Sequence, residues 1–146
     1  YFTEYDYGSN GIAFYDKDYE NIGNGAYNNG YSFRNDGVDI EACSDQFTNG
    51  YNVGWIDTGD WLKFTVNISD DGIYDASFRI AANESGGKII AYVDDAVASE
   101  LIDVPVTGGW QNWQSLIIHD IHLPAGQHEI VFRFYFGGFN INYVDF

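Results

Sequence analysis

From residue 61 to the C-terminus, hydrophobic and polar side chains alternate with a period of two. In WLKFTVNI, at positions 61–68, the even-numbered residues are apolar, and Trp61 and then polar residues occupy the odd positions. The same alternation recurs at 74–82 (YDASFRIAA), 128–136 (HEIVFRFYF) and 139–146 (FNINYVDF). This period is typical of strands that present one face to a core and the other to solvent. The sequence therefore predicts a series of half-buried strands.

Turn sequences rich in glycine and polar residues separate these strands. They lie at 69–72, 84–87, 107–109, 124–126 and 137–138. Glycine and its polar neighbours favour chain reversals, and no stretch has the 3.6-residue apolar stripe of an amphipathic helix. Short strands at this spacing predict an all-β fold, a two-sheet antiparallel β-sandwich with one face of each sheet packed inward.

The first 54 residues have a different character. They are rich in Gly, Asn, Asp and Tyr and lack sustained alternation, which predicts long loops between short strands. Long loops in a compact domain are often functional, and disorder is the alternative. The many tyrosines and the apolar stretch GIAFYD argue against disorder, because disordered segments are poor in aromatic residues.

Size and charge limit the partners. A chain of 146 residues, 45% of them hydrophobic, suits a single domain over 1–146. Its formal charge of −16 repels phosphate backbones and anionic membranes, which excludes nucleic acid and membrane surfaces as partners and favours a neutral ligand. The alternative is that the acidity serves only solubility. The chain begins at Tyr1 and contains no Met, so we expect a mature fragment or a module excised from a longer, secreted polypeptide.

Catalytic signatures are absent from the sequence. It has no HExxH, GxSxG, GxxxxGK[ST] or GxGxxG motif, and nothing singles out a glycosidase carboxylate pair among the 22 acidic residues. His119 and His122, three positions apart, would point to opposite faces of a strand, which is wrong for a shared metal. Carboxylate oxygens clustered in loops suit calcium. The alternative is that the loop carboxylates are only solvated charges. The acidic residues of the loop-rich third are Asp16, Asp36, Asp39, Glu41 and Asp45.

Two tryptophans stand on loops, where a large apolar ring gains little from folding. Trp55 lies in NVGWIDTGDW and Trp110 in TGGWQNW, each directly after a glycine. Flat apolar rings can stack on the C–H faces of pyranose rings while nearby amide and carboxylate groups bond the hydroxyls. Burial in the core is the alternative for any one tryptophan, and we keep it for Trp113, at the start of a strand.

Five segments in order, NVGWIDTGDWLKFTVNI, GIYDASFRIAA, TGGWQNW, LPAGQHEIVFRF and GGFNINYVDF, closely resemble carbohydrate-binding modules of family 6. The resemblance implies a β-sandwich of jelly-roll type without catalysis of its own, which keeps a tethered glycoside hydrolase near its polysaccharide. In this family a sugar, often at a chain end, is held between two aromatic rings and bonded by an Asn of the last strand. The matching positions are Trp55, Trp110 and Asn140. Loop residues expected to border this clamp are Glu41, Phe33 and Asp45.

Some members have a second site on the concave face of a sheet, and the matching positions are Trp61, Tyr92 and Arg133. The resemblance also implies a structural calcium ion. Its nearest matching ligands are Glu4 and Asp145, and the loop residues Asp16 and Asp39 are further candidates.

The ligand expected from the resemblance is a neutral β-glycan. We place laminarin-type β-1,3-glucan first, agarose second, and xylan or cellulose oligosaccharides third. We expect a monomer whose partners are a polysaccharide or oligosaccharide and a tethered glycoside hydrolase domain. A small glycan-cleaving enzyme and an adhesion or structural sandwich domain are the alternatives.

Overall fold

The computed structural model describes residues 1–20, 22–23, 25, 27–84 and 86–146. One turn of 3-10 helix, η1 (Phe2–Glu4), precedes eleven strands. The strands are β1 (Phe14–Tyr15), β2 (Ile40–Ala42), β3 (Tyr51–Val53), β4 (Trp61–Ile68), β5 (Gly72–Ala81), β6 (Lys88–Val93), β7 (Ala96–Val97), β8 (Ile102–Asp103), β9 (Gln114–Leu123), β10 (Gly126–Phe136) and β11 (Asn140–Asp145).

The strands form two antiparallel sheets. Sheet A has the order β1-β4-β10-β6-β7, with β8 also paired to β6, and sheet B has the order β2-β3-β11-β5-β9. The prediction of an all-β, two-sheet antiparallel sandwich is confirmed. The three strands before residue 54 have only two or three residues each, so the expected long loops between short strands are also present.

Alternation along the long strands builds the core between the sheets. Leu62 of β4 and Phe132 of β10 point inward from sheet A, and Phe78 of β5 points inward from sheet B. The rings of Phe78 and Phe132 meet edge to face with centroids 5.3 Å apart. Phe2 of η1 is fully buried against Phe132, at 5.2 Å. Full burial of such a side chain stabilises the fold by about 1.5–3 kcal/mol, so these rings fix how the sheets stack.

A bulge in β9 corrects one expectation. His119 and His122 do not point to opposite faces. Asp120 has a φ of +63°, and the pairing of β9 with β5 shifts register there. The additional residue puts both histidines on the exposed face of sheet B, where they lie 2.9 Å from Asp75 and 3.5 Å from Asp71, respectively. The described residues include no helix long and apolar enough to cross a membrane.

Candidate functional site

A pocket of about 230 Å³ opens at the end of the sandwich where β11 begins. Its walls come from two loops, because Trp55 follows β3 and Trp110 precedes β9. Their side chains are 40% and 47% exposed, in contrast to the buried phenylalanines of the core. The residues that line the pocket are Glu41, Trp55, Ile56, Trp110, Gly138, Phe139 and Asn140.

The backbone at Trp55 is held in an uncommon conformation. Its φ of +47° lies in the left-handed region, which costs a non-glycine residue about 1 kcal/mol or more. Two contacts support it: Gly138 donates its N–H to the carbonyl of Ile56 at 2.9 Å, and Tyr27 meets the Trp55 ring edge to face at 5.7 Å. The loop therefore presents the indole to the pocket in a fixed orientation.

The polar floor of the pocket is built around Asn140. This side chain is 4% exposed, and its Nδ2 donates to Glu41 Oε1 at 2.6 Å and to the backbone carbonyl of Trp110 at 2.7 Å. Both partners are acceptors, so the reversed amide orientation is excluded. An amide nitrogen has only two hydrogens, which leaves Oδ1 as the group that can bind a ligand, and only as an acceptor.

Glu41 completes the floor as a second acceptor. Its Oε1 receives hydrogen bonds from Asn140, from Gln111 Nε2 at 2.8 Å and from Asn52 Nδ2 at 3.3 Å. Because Glu41 lines the pocket, its carboxylate is an acceptor there. Gly54 allows this close packing, because a Cβ there would lie 3.1 Å from Asn140 Oδ1. Two apolar walls over a floor of acceptors suit a ligand with C–H faces and hydroxyl donors at its edge.

Gln111 and Asn52 were missed by sequence reasoning. Besides Glu41, Gln111 Nε2 bonds Asn52 Oδ1 at 3.0 Å, while Gln111 Oε1 accepts from the backbone N–H of Ser44 and the indole N–H of Trp113. These bonds fix the loop that carries Trp110. The one available signal was the position of Gln111 directly after that tryptophan.

Asp60 holds the loop that follows Trp55, and Asp16 lies close enough to Asp60 for the two charges to interact. Asp60 accepts from the backbone N–H of Asp57 at 2.8 Å and of Lys17 at 3.1 Å. Asp16 accepts from the N–H of Asp18 at 2.8 Å. Burial, which penalises the charged form, raises the pKa of Asp16 to about 7 and the pKa of Asp60 to about 6. The stability of this loop anchor therefore depends on pH.

Four of the six residues predicted for the clamp meet at the pocket: Trp55, Trp110, Asn140 and Glu41. The other two lie elsewhere, which corrects the expectation that they border it. The ring of Phe33 stacks on Tyr51, with centroids 4.9 Å apart. The carboxylate of Asp45 forms an ion pair with Arg79 at 2.6 Å and accepts a hydrogen bond from Asn142 Nδ2 at 3.0 Å.

The three residues predicted for a second site lie together on the outer face of sheet A. Trp61 is directly opposite Arg133 in the β4–β10 pairing. The guanidinium carbon of Arg133 lies 5.3 Å from the centroid of the Tyr92 ring, within the range of a cation–π contact. The face therefore combines a partly exposed indole with a cation and a phenol.

The predicted calcium ligands do not form one donor set. Glu4 lies on η1, which contacts the strand β11 that Asp145 ends. Asp16 instead accepts a hydrogen bond from the backbone of Asp39, beside the loop of Trp55. In the described part of the chain, no three His, Cys, Asp or Glu side chains are placed to hold a metal ion. The carboxylates of these four residues thus do not fit a single calcium site, and calcium stays a prediction.

Sequence comparison agrees with this geometry. The sequence profile of the carbohydrate binding module (family 6) matches residues 29–146, most of the chain. The chain belongs to this family. It is a noncatalytic binding module of the type found in glycoside hydrolases.

Solved structures place the module among similar sandwiches. The C-terminal module of LamC, a marine laminarinase from Zobellia galactanivorans, is 32% identical, with a TM-score of 0.66, over 73% of this chain and 85% of that one. A module from Cellvibrio mixtus lichenase 5A, solved with cellotriose, is 35% identical, with a TM-score of 0.66, over 74% of this chain and 84% of that one.

Curated relatives are much longer than the module. Beta-agarase AgaO of Microbulbifer thermotolerans is 28% identical over 126 residues, which is 84% of this chain and 10% of that protein. The module spans 10–16% of the length of the curated relatives that it matches.

Proposed function

We propose that the module binds a neutral β-glycan by holding one sugar ring between Trp55 and Trp110. The observation that carries this proposal is the pairing of two partly exposed indoles with the acceptors of Asn140 and Glu41 at one pocket. The volume of about 230 Å³ is below the roughly 300–1,000 Å³ of pockets for drug-sized ligands. It suits one or two sugar units, such as the end of a chain.

The charge of the site favours a neutral ligand. Glu41 contributes a carboxylate, and the described residues that line the pocket include no basic side chain. The whole chain adds a formal charge of −16. A sulfated or uronic polymer would be repelled at long range and would meet acceptors where its anions need donors.

Among neutral glycans we rank laminarin-type β-1,3-glucan first. The match to a module from a marine laminarinase supports this rank, and the match to an agarase supports agarose in second place. Cellulose oligosaccharides, with xylan, take third place because one similar module was solved with cellotriose. Trp61, Tyr92 and Arg133 form a second, weaker site along sheet A in the same proposal. The parent polypeptide would be extracellular and would carry a glycoside hydrolase domain.

Isothermal titration calorimetry against laminari-, agaro-, cello- and xylo-oligosaccharides tests the proposal. We expect micromolar to millimolar dissociation constants for one series, because one or two stacked rings gain little beyond the cost of association. Phe47→Ala is the control, since it removes an exposed aromatic ring outside both proposed sites, and it should leave binding unchanged. A folded protein that binds none of the four series would contradict the proposed function.

A further inference from the structure

The N-terminal segment outside the family match lies against one wall of the pocket. The profile begins at residue 29, yet the ring of Tyr27 meets the ring of Trp55 at 5.7 Å, with the planes 83° apart. Tyr27 is 49% exposed, so this contact does not bury it. The aromatic surface of the pocket therefore continues beyond Trp55 onto a residue that precedes the matched range.

A second depression, of about 390 Å³, adjoins this contact. Tyr27 belongs to both features, because it contacts Trp55 and also lines the depression. Tyr19, which is likewise exposed, supplies a second phenol. The remaining lining residues are Lys17, Asp18 and Glu20, which offer both donors and acceptors. Exposed aromatic rings can stack on sugar faces as the indoles of the pocket do, and the donors and acceptors beside them can bond hydroxyl groups.

The segment is anchored to the sandwich. Lys17 Nζ lies 3.1 Å from Asp57 Oδ2, and the backbone N–H of Lys17 donates to Asp60. The carbonyl of Tyr19 passes so close to Gly37, whose φ is +112°, that a Cβ there would collide with it. These contacts tie the depression to the loop of Trp55, and a surface held in place costs less ordering when a ligand binds.

We propose that this depression is an additional sugar subsite, in which Tyr27 and Tyr19 bind the units of the glycan that follow the one held between Trp55 and Trp110. The inference rests on the proposed function, because it extends the same binding site. Its occupant is the next part of the same neutral glycan. A chain that leaves the pocket past Trp55 reaches the depression directly, because Tyr27 contacts Trp55 and also lines the depression. Affinity should therefore rise with chain length beyond what the pocket alone can hold.

The test is calorimetry with laminari-oligosaccharides of two to six units on the wild-type module, Tyr27→Ala, Tyr19→Ala and the control Tyr7→Ala. Tyr7 is an exposed tyrosine of the same N-terminal segment that lines neither the pocket nor the depression. For the wild type and the control, we expect affinity to rise about tenfold from two to six units. A gain of this size is what one further sugar ring stacked on an aromatic side chain should contribute. Tyr19→Ala should keep the disaccharide affinity and lose most of that gain. Tyr27→Ala should lose the same gain and also weaken binding of every length, because its ring contacts Trp55.

Three outcomes overturn the subsite. If Tyr27→Ala weakens every length equally, this residue only supports Trp55. If both variants keep the full gain, the depression does not bind sugar. If the wild type binds the disaccharide as tightly as the hexasaccharide, the pocket binds glycan but has no extension. A wild type that binds none of the four oligosaccharide series of the calorimetric panel is a different result, because it removes the proposed function itself.

Discussion

Replacing Trp110 by alanine should weaken glycan binding about 7- to 60-fold while leaving the fold intact. An aromatic side chain of this size offers about 150–250 Å² of surface, and that of Trp110 is 47% exposed, so about 100 Å² is available to a ligand. A sugar face that covers between half and all of this area, at about 25 cal/mol per Å², gives roughly 1.2–2.5 kcal/mol. Each 1.4 kcal/mol is about tenfold in affinity.

Stability should change little in this variant. The hydrogen bond from Asn140 goes to the backbone carbonyl of Trp110, which alanine retains. The midpoint of thermal unfolding should stay within about 4 °C of the wild type, which corresponds to about 1 kcal/mol for a domain of this size. Phe47→Ala is the control, because Phe47 is an exposed loop aromatic that lies outside the pocket. Wild-type affinity in a folded Trp110→Ala variant, measured by calorimetry, would refute the clamp.

Further predictions concern the floor of the pocket, pH and calcium. Asn140→Ala should abolish measurable binding in calorimetry. Asn140→Asp should lower the unfolding midpoint further than Asn140→Ala does, because it places a second carboxylate next to the carboxylate of Glu41. Burial raises the pKa of Asp16 to about 7 and that of Asp60 to about 6, so between about pH 4 and about pH 7 the folded state retains protons that the unfolded chain loses. The free energy of unfolding should therefore fall as pH rises from about 4 to about 7. Asp16→Asn should flatten that fall in thermal unfolding at stepped pH; an equally steep fall would contradict it. For a calcium ion held through Glu4, as the resemblance implies, EDTA should lower the unfolding midpoint of the wild type and not of Glu4→Gln, and an unchanged wild-type midpoint would contradict the calcium prediction.

The long strands could be predicted because burial imposes the alternation directly. The inward positions that fill the space between the sheets, from Leu62 to Ile68 in β4 and from Ile130 to Phe134 in β10, are all apolar, so the period is readable without knowledge of the partner strand. The bulge at Asp120 could not be predicted in this way. It depends on one residue in the left-handed region, and that residue moves His119 to the same face as His122.

The walls of the pocket were also predictable, because a tryptophan that follows glycine on a loop gains little from folding, which indicates that it binds a ligand instead. For the floor, the resemblance named Asn140 and Glu41, but not the hydrogen bonds that join them to each other and to Gln111 and Asn52. Those bonds link residues distant in sequence: Gln111 lies 70 positions from Glu41, and Asn140 lies 99 from it. The path of the N-terminal loops decides such contacts. For the same reason Phe33 and Asp45 were assigned to the pocket, although Tyr51 and Arg79 hold them elsewhere.

The central claim is that a sugar ring sits between Trp55 and Trp110, and the four indole N–H resonances report on it directly. In ¹H–¹⁵N NMR spectra titrated with laminaritriose, the indole signals of Trp55 and Trp110 should shift most and saturate together at one dissociation constant. Trp113, whose indole N–H is bonded to Gln111, should shift less, and Trp61 should move only at higher ligand concentration. Saturating shifts confined to Trp61, with the signals of Trp55 and Trp110 unmoved, would contradict the account.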